Sequence, residues 1–215
     1  MATQKTESDY ILLIMSCVRY KSRAFKQKKT WLINTIPSHL PYFHVLGDDK
    51  MQEPFAFNYN SKILRVKAPD DYNSLPKKVI AALAAVHATF KYKCVFKTDD
   101  DQMLHLPTFF ETMTGPQSVT IDRHYGGHPV TVPTHNSTFH SHHPELPIVL
   151  PLEATTYCFG RFYFLSSAAV DHLLKKREAI EQRYIEDHAI GYYLSDFPGK
   201  TPIVKINSSV IFKDM

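Results

Sequence analysis

Short apolar runs alternate with helical patterns through the first half of this chain, and this alternation limits the fold more than any other feature of the sequence. Residues 10–17 form a continuous apolar run of strand length, and the basic segment 22–33 after it predicts a helix. Two more runs of strand length, 43–46 and 63–66, precede a segment, 74–90, with apolar residues at helical spacing. The pattern predicts an α/β fold, with mostly parallel strands under crossover helices.

Length and composition indicate a single globular domain. The chain has 215 residues, of which 44% are apolar and 21% charged, and no Gly/Ser-rich or Pro-rich linker divides it. Its formal net charge of +4 is too small to indicate nucleic-acid binding and suits a small anionic ligand. We therefore expect one domain over 1–215 and no nucleic-acid partner.

The N-terminus and the cysteines bear on the cellular compartment. The first nine residues are mostly polar, and the apolar run after them is far too short for a signal peptide or a membrane anchor. Cys17, Cys94 and Cys158 are odd in number, distant in sequence and set in apolar stretches, which favours reduced thiols. These features predict a cytoplasmic protein with no integral membrane segment.

Acidic residues follow the predicted strands at the points where the strands end. Asp48 follows 43–46, Asp70 follows 63–66, and the triplet Asp99, Asp100 and Asp101 follows a short buried run that begins at Cys94. In open α/β sheets, ligands gather at the carboxyl ends of the strands. These side chains are therefore expected at a ligand-binding edge.

The acidic triplet has two interpretations. Three adjacent carboxylates repel one another, and a divalent cation would remove that cost. Mn²⁺ and Mg²⁺ prefer oxygen ligands and keep waters and diphosphate oxygens in their shell, so one or two protein carboxylates suffice. The alternative is a solvated acidic turn before a helix that starts near residue 105, but the position behind a buried strand favours the metal site.

The second half of the chain is expected to shape the substrate site. Residues 123–147 contain six histidines and four prolines with little apolar patterning, which predicts a long surface excursion or lid. The histidine spacing fits no zinc pattern. Regular structure is expected to return as a strand over 157–165, helices over 167–184 and 186–194, and a closing strand over 203–212.

Glu186, Asp187 and His188 begin the last predicted helix, and their role stays open at this point. Acidic residues are favourable at any helix N-terminus. If this helix packs beside the metal site, one carboxylate can take a proton from an acceptor hydroxyl as a general base. The basic residues after the first strand, Arg23 among them, could likewise meet phosphates or form a solvated helix face.

Five motifs stand in order along the chain. Arg23 precedes Thr30-Trp31, and the stretch 70–78 carries Asp70, Tyr72, Leu75 and Lys78. Residues 97–101 read Lys-Thr-Asp-Asp-Asp, residues 157–166 read Tyr-Cys-Phe-Gly-Arg-Phe-Tyr-Phe-Leu-Ser, and Glu186-Asp187 is followed by Gly191. In this order they resemble the motifs of glycosyltransferase family 31, the galactosyltransferase and fringe-like enzymes.

The resemblance implies a single-domain, Rossmann-like GT-A fold: a central, mostly parallel mixed sheet flanked by helices, with a nucleotide-binding half over about 8–101 and an acceptor and catalytic half over about 102–215. It implies a UDP-sugar donor, a glycan acceptor and inversion at the anomeric carbon. Mn²⁺ (or Mg²⁺) would bind chiefly through Asp101 with support from Asp99, and Asp187 would be the catalytic base with Glu186 beside it. The candidate contacts of the nucleotide sugar are Arg23, Asp48, Asp70, Lys78, Lys97, Asp99, Asp100 and Gly160.

The chain departs from the family pattern at three points. Arg161 and Phe162 stand where the family has glycines, which implies a bulkier, more polar sugar or acceptor pocket. No histidine follows His188, so water, a diphosphate oxygen or His188 itself is expected to complete the metal shell. The membrane anchor and stem of secretory members have no counterpart here, which suits a viral or microbial enzyme, in the host cytoplasm if viral, or a catalytic domain of a longer polypeptide.

Two other functions are compatible with the acidic clusters. A metal-dependent phosphoesterase or nuclease would use them to hold a pair of metals, but the modest net charge argues against its basic substrate channel. A non-catalytic nucleotide-sugar-binding module would keep the donor site and would not need Asp187 for turnover.

Overall fold

An eight-stranded mixed sheet forms the centre of the computed structural model, which describes residues 5–199 and 201–215. The polar N-terminal segment predicted from the sequence lies partly outside these residues. The strands of the sheet, in chain order, are β1 (Tyr10–Met15), β2 (Tyr42–Gly47), β3 (Phe55–Asn58), β4 (Ile63–Val66), β5 (Cys94–Asp99), β6 (Tyr125–Val132), β7 (Thr155–Ser166) and β8 (Val204–Lys205).

The order of the strands is β8-β6-β7-β5-β1-β2-β4-β3. Strands β5, β1, β2 and β4 are parallel to one another, and β3 runs antiparallel at one edge. Strand β7 is antiparallel to both of its neighbours, and β8 is parallel to β6. The expected mostly parallel mixed sheet is confirmed.

Helices cover both faces of this sheet. The long helix α3 and the later helices α5, α6 and α7 pack on one face, and α4 and the residues after α1 pack on the other. The helices are α1 (Lys21–Gln27), α2 (Ile33–Thr35), α3 (Leu75–Thr89), α4 (Phe109–Thr114), α5 (Ser167–Leu174), α6 (Arg177–Glu181), α7 (Glu186–Leu194) and α8 (Ser208–Ile211).

Strand β1 shows why its continuous apolar run belongs at the centre. All six of its residues are buried. Ile11 and Leu13 point into the cluster beneath α3, whereas Leu12 and Ile14 point into the cluster that contains Trp31. A strand covered on both faces needs apolar residues at every position, so its sequence does not alternate.

Short strand pairs join distant parts of the chain to this core. Thr6–Glu7 pairs with Phe90–Lys91, and His135–Asn136 pairs with Pro151–Leu152. Gln102–Leu104 pairs with Phe212–Asp214, which brings the end of the chain next to the acidic triplet.

The structure differs from three predictions of secondary structure. Residues 123–147 are not wholly irregular, because β6 lies inside them and pairs with both β7 and β8. The predicted closing strand over 203–212 is broken by α8, where the Asn207 side chain accepts a hydrogen bond from the Ser209 N–H. The predicted helix over 167–184 is divided into α5 and α6.

The cysteines are unpaired, and the helices are those of a globular fold. All three cysteines are free, and Cys94 and Cys158 are buried. Within residues 5–199 and 201–215, no helix combines the length and the apolar character needed to cross a bilayer.

Candidate functional site

A cleft of about 820 Å³ opens at the carboxyl ends of the parallel strands. Its walls come from the ends of β1 and β5, the loop after β4, the segment after β6 and the start of α7. Most of the candidate site residues predicted from the sequence meet here: Arg23, Asp70, Lys78, Lys97, Asp99, Asp100, Asp101, Gly160, Glu186 and Asp187.

The three aspartates of the triplet have different surroundings. Asp100 is buried, accepts a 2.6 Å hydrogen bond from the Ser16 hydroxyl and lies 3.5 Å from the Arg23 guanidinium. Among the described residues, the side chain of Asp101 accepts a bond only from the neighbouring Gln102 amide. Asp99 ends β5 with its carboxylate against Lys97. Asp100 is therefore bound by the protein, whereas Asp99 and Asp101 keep oxygens for a ligand.

Lys97 is the buried counterion of this site. Its ammonium group lies 2.8 Å from Asp99 Oδ1 and 3.2 Å from Glu186 Oε2, and donates a 2.7 Å bond to the Gly160 carbonyl. Burial lowers the pKa of Lys97, but the charges of Asp99 and Glu186 outweigh it and hold that pKa above its ordinary value. With 2% of its side chain exposed, Lys97 balances the carboxylates rather than reaching out to a phosphate.

Asp187 and Glu186 differ in the protein groups that contact their carboxylates. Glu186 is held by Lys97 and by the Tyr163 hydroxyl. Asp187 accepts backbone bonds from Gly160 at 2.9 Å and from His188 at 2.8 Å, one on each oxygen. Burial raises the pKa of Asp187, with Lys97 opposing, which makes this carboxylate a stronger base than an exposed aspartate.

The position of Asp187 depends on an irregularity in the sheet. The register between β6 and β7 shifts between Cys158 and Tyr163, and Gly160 lies in this irregular stretch. The Gly160 N–H is thereby free of the ladder and donates to Asp187 at the second position of α7. One backbone group of β7 thus fixes the first turn of α7 over the cleft.

Asp70 and Lys78 tie together the loops on the other side of the cleft. Asp70 accepts bonds from the backbone of Gly47 at 2.8 Å and Val18 at 2.7 Å, and Lys78 lies 3.0 Å from its carboxylate. Lys78 also donates to the Ser16 carbonyl. The pair orders three strand ends around the space where a ligand would bind.

Two predicted site residues are not brought into the cleft. Asp48 does not line it and instead lies 3.8 Å from Arg65. His188 is buried outside it, with Nε2 2.9 Å from the Glu153 carbonyl and its ring stacked on Tyr192. Burial lowers the pKa of His188. The expectation that His188 completes a metal shell finds no support in this arrangement.

Arg161 and Phe162, which replace family glycines, do not enlarge the walls of the cleft as expected. Phe162 is fully buried in the core. Arg161 donates two bonds to Asp214, at 2.9 and 3.1 Å, and lies outside the lining of the cleft. The prediction of a bulkier pocket is therefore wrong, because Phe162 fills the core and Arg161 binds the C-terminal strand Phe212–Asp214.

The triplet provides an incomplete set of metal ligands. No group of three or more His, Cys, Asp or Glu side chains is arranged to hold a metal in the part of the chain that the structure describes. Burial raises the pKa of Asp99 to about 6 although Lys97 opposes it, and a bound cation would favour the ionised form of this carboxyl. Two carboxylates in an open cleft fit a hard cation whose other ligands are waters and ligand oxygens.

The sequence reasoning missed several residues of the cleft. Phe139, His143 and Glu145 line it from the segment after β6, and Tyr184 lines it just before α7. Their signal in the sequence is weak, since single aromatic residues in polar loops have many possible roles.

Comparison with known proteins identifies the family of the chain. The family model described as Galactosyltransferase matches residues 25–200 of this chain. The search of the curated proteins finds no match.

Proposed function

The chain belongs to the galactosyltransferase family and is a glycosyltransferase, and on that premise we propose that it transfers a sugar from UDP to a hydroxyl of a glycan acceptor with inversion, using Mn²⁺ or Mg²⁺. Its fold agrees with a single GT-A-like domain. The family implies a nucleotide-sugar donor.

One observation carries the proposal. Asp187 lines the same cleft as Asp99 and Asp101. Lys97 lies between the triplet and the start of α7, paired with Asp99 on one side and Glu186 on the other. Direct displacement at a sugar carbon needs a base beside the attacking hydroxyl and positive charge beside the departing diphosphate. The cleft has a carboxylate for the first task and a pair of carboxylates able to hold a cation for the second.

The residues of the chain divide this chemistry between them. Asp187 takes the proton of the acceptor hydroxyl, whose oxygen forms the new bond to the anomeric carbon as the bond to the diphosphate oxygen breaks. The Gly160 N–H holds the base in place, and Lys97 acts on it through its charge. Arg23, whose guanidinium packs on the Tyr20 ring, is partly exposed and is assigned to the diphosphate. Asp99 and Asp101 would hold the cation, which would supply positive charge to the leaving group.

The structure gives less support to the alternatives. A two-metal phosphoesterase or nuclease would need both acidic clusters as ligands. Glu186, however, is paired with Lys97 and accepts a hydrogen bond from the Tyr163 hydroxyl. A non-catalytic binding module would not require a basic, preorganised Asp187, and turnover of an Asp187 variant separates it from the enzyme.

Two substitutions test the assignment of roles. We expect Asp101→Asn to abolish Mn²⁺-dependent UDP binding in calorimetry. We expect Asp187→Asn to bind UDP as wild type does while transfer, and hydrolysis of the UDP-sugar by water, fall at least about 100-fold, in the range of a lost general base. Asp48→Asn is the matched control, because Asp48 lies outside the cleft.

Each result can contradict the proposal. Undiminished Mn²⁺-dependent UDP binding by Asp101→Asn would remove the metal role of the triplet. Full turnover by Asp187→Asn would remove the base. UDP-sugars with different sugars, compared with and without Mn²⁺, then identify the donor.

A further inference from the structure

We propose that residues 137–146 and Tyr184, here called the acceptor wall, bind a neutral sugar ring of the acceptor by stacking on Phe139 and Tyr184. This inference rests on the proposed function and adds to it the binding surface and charge class of the acceptor. Four observations carry it: the attachment of the wall, the state of its aromatic rings, its position relative to Asp187, and its charge.

The acceptor wall is fastened across the cleft by aromatic stacking and a hydrogen bond. The His143 ring stacks on Tyr72 with centroids 3.8 Å apart and planes 5° from parallel. The Asn73 amide donates a 2.7 Å bond to the Glu145 carbonyl. A segment without long secondary structure is thereby held against the loop that contains Asp70.

A small apolar cluster joins the same segment to α7. Leu146 and Leu150 are buried against Ile185, and Tyr72 and Leu152 pack on this cluster. Ile185 directly precedes Glu186 and Asp187 in the chain. The wall and the proposed base therefore share one packed unit, so that a sugar resting on the wall is held at a fixed place relative to Asp187.

Phe139 and Tyr184 are aromatic rings left open to solvent inside a cleft. Phe139 lies parallel to His143, 6° between planes and 6.2 Å between centroids, yet 48% of it is exposed. Tyr184 is 37% exposed. An open aromatic face loses favourable apolar burial, and the C–H face of a pyranose ring can cover it while the sugar hydroxyls stay hydrogen-bonded.

The position of the rings favours the acceptor over the donor. The residues expected to hold the diphosphate, such as Arg23, follow β1, whereas Phe139 and Tyr184 belong to the segments packed around Ile185. Burial raises the pKa of Tyr72 to about 12, and the charges of Asp187 and Asp99 add to this rise, so the ring that carries the wall lies near both the base and the triplet. The wall thus borders the side of the cleft from which the attacking hydroxyl must arrive.

The charge of the wall selects a neutral sugar. Glu145 and Asp71 line the cleft, with Glu145 Oε1 3.7 Å from His143 Nδ1, and at neutral pH the two carboxylates would repel a carboxylate on the acceptor. The arginines that line the cleft, Arg19 and Arg23, come from the segment after β1, where the diphosphate is expected. Neutral hexoses and N-acetylhexosamines therefore fit, whereas sialic and uronic acids at this position do not.

A glycan array of neutral and acidic oligosaccharides, probed with the protein in the presence of UDP and Mn²⁺, tests the inference. We expect wild type to bind neutral glycans, and Phe139→Ala and Tyr184→Ala each to weaken this binding about tenfold, as for loss of one stacked ring. UDP affinity, measured by calorimetry, should stay within about twofold of wild type. Ile148→Ala is the matched control, because Ile148 is 76% exposed close to the same segment but does not line the cleft.

The outcomes separate this inference from the proposed function. Wild type that binds UDP but binds no glycan, or only acidic glycans, contradicts the acceptor wall and leaves the donor site intact. Unchanged glycan binding by both ring variants also contradicts it. Wild type that fails to bind UDP contradicts the proposed function itself.

Discussion

The ammonium group of Lys97 holds together a site that would otherwise consist of buried negative charge. It contacts Asp99 and Glu186 directly, and its charge acts on Asp187. Removing one partner of a buried ion pair leaves the other charge without compensation, which costs far more than the pair contributes. The residue therefore has a structural role that its place in the Lys-Thr-Asp-Asp-Asp motif does not reveal.

We predict that Lys97→Met lowers the free energy of unfolding by about 3–5 kcal/mol, because the buried carboxylates lose their cation. Adding Glu186→Gln to this variant should restore part of the loss, since one of the uncompensated charges is then removed. Urea denaturation of the single and double variants at neutral pH measures both effects. A double variant less stable than Lys97→Met would contradict this account.

His44 is a second buried residue whose state follows from its partners. The Gln27 amide nitrogen donates to the carbonyls of Asp99 and Gln102, so its oxygen faces His44 Nε2, 2.9 Å away, as the acceptor. His44 Nδ1 is buried and has no hydrogen-bond partner within residues 5–199 and 201–215. A second proton on this ring would be unbonded, and burial lowers the pKa of His44 to about 3.

The pKa of His44 predicts a loss of stability in mild acid. Between its ordinary pKa of about 6.5 and about 3, the unfolded chain binds a proton at His44 and the folded chain does not, so stability falls as pH drops. His44→Gln should reduce the slope by up to about 1.4 kcal/mol per pH unit. Urea denaturation from pH 7.5 to 4.5 measures it, with His39→Gln as an exposed control, and an unchanged slope in His44→Gln would disprove the prediction.

At the scale of elements, α7 must lie close to β7 for Asp187 to reach Gly160. Gly191 makes this approach possible, because a Cβ there would lie 2.3 Å from Tyr157 Cβ and 2.9 Å from the Thr156 carbonyl oxygen. Both of these atoms belong to β7 close to its backbone and cannot move aside cheaply. The glycine thus sets the distance between the helix with the base and the strand that holds it.

Gly191→Ala should destabilise the protein by about 1–3 kcal/mol through overpacking, although alanine is the better helix former. Transfer activity should fall more than UDP affinity, because α7 is displaced and the triplet is not. Thermal unfolding and steady-state kinetics measure the two effects. Gly115→Ala is the milder control, because its Cβ would lie 3.1 Å from the Glu111 carbonyl oxygen and 3.8 Å from that of Thr112. A more stable Gly191→Ala would contradict the close contact.

The elements differ in how well the sequence predicts them, and the reasons are physical. The apolar runs of β1 and β4 and the helix 186–194 follow from composition and periodicity alone. Strand β6 has no clear signal in the sequence because it contains Gly126 and Gly127, whose missing side chains make room for Phe164 and Cys158. Packing with distant residues thus overrides strand propensity there, and no local pattern records it.

The site likewise combines features that the sequence predicts with features that only the folded chain shows. Position after a buried strand predicts the triplet at the edge of the sheet, and Asp187 follows from the resemblance. The separate surroundings of Asp99, Asp100 and Asp101 depend on Ser16 and Lys97, which only the folded chain brings beside them. Asp48 follows a strand as Asp70 does, yet it turns to Arg65, so position at a strand end is insufficient to define a ligand.

At the scale of the whole molecule, a cluster of aromatic rings joins parts of the chain that are far apart in sequence. Trp31, the single tryptophan, stacks on Phe110 at 6.2 Å and meets the edge of Phe212 at 6.4 Å. Phe212 also packs on Phe109 and Phe162. The C-terminal strand that begins at Phe212 connects this cluster to the triplet. Asp214 accepts a hydrogen bond from the Gln102 amide, which also donates to Asp101, and the Met215 N–H donates to the Asp101 carbonyl.

We predict that Phe212→Ala costs about 3–5 kcal/mol of stability, as expected for deletion of a fully buried ring, and shifts the fluorescence of Trp31 to the red. Because the strand 212–214 is then less tightly paired with Gln102–Leu104, Mn²⁺-dependent UDP binding should weaken even under conditions where the variant stays folded. Phe212→Leu should retain most of both properties, and Phe25→Ala, at an exposed ring of α1, should change neither stability nor fluorescence by much. Urea denaturation followed by tryptophan fluorescence and calorimetry with UDP measure the two effects on the same samples. A folded Phe212→Ala with wild-type UDP affinity would mean that the triplet keeps its geometry without the last strand, and the aromatic cluster would then serve stability alone.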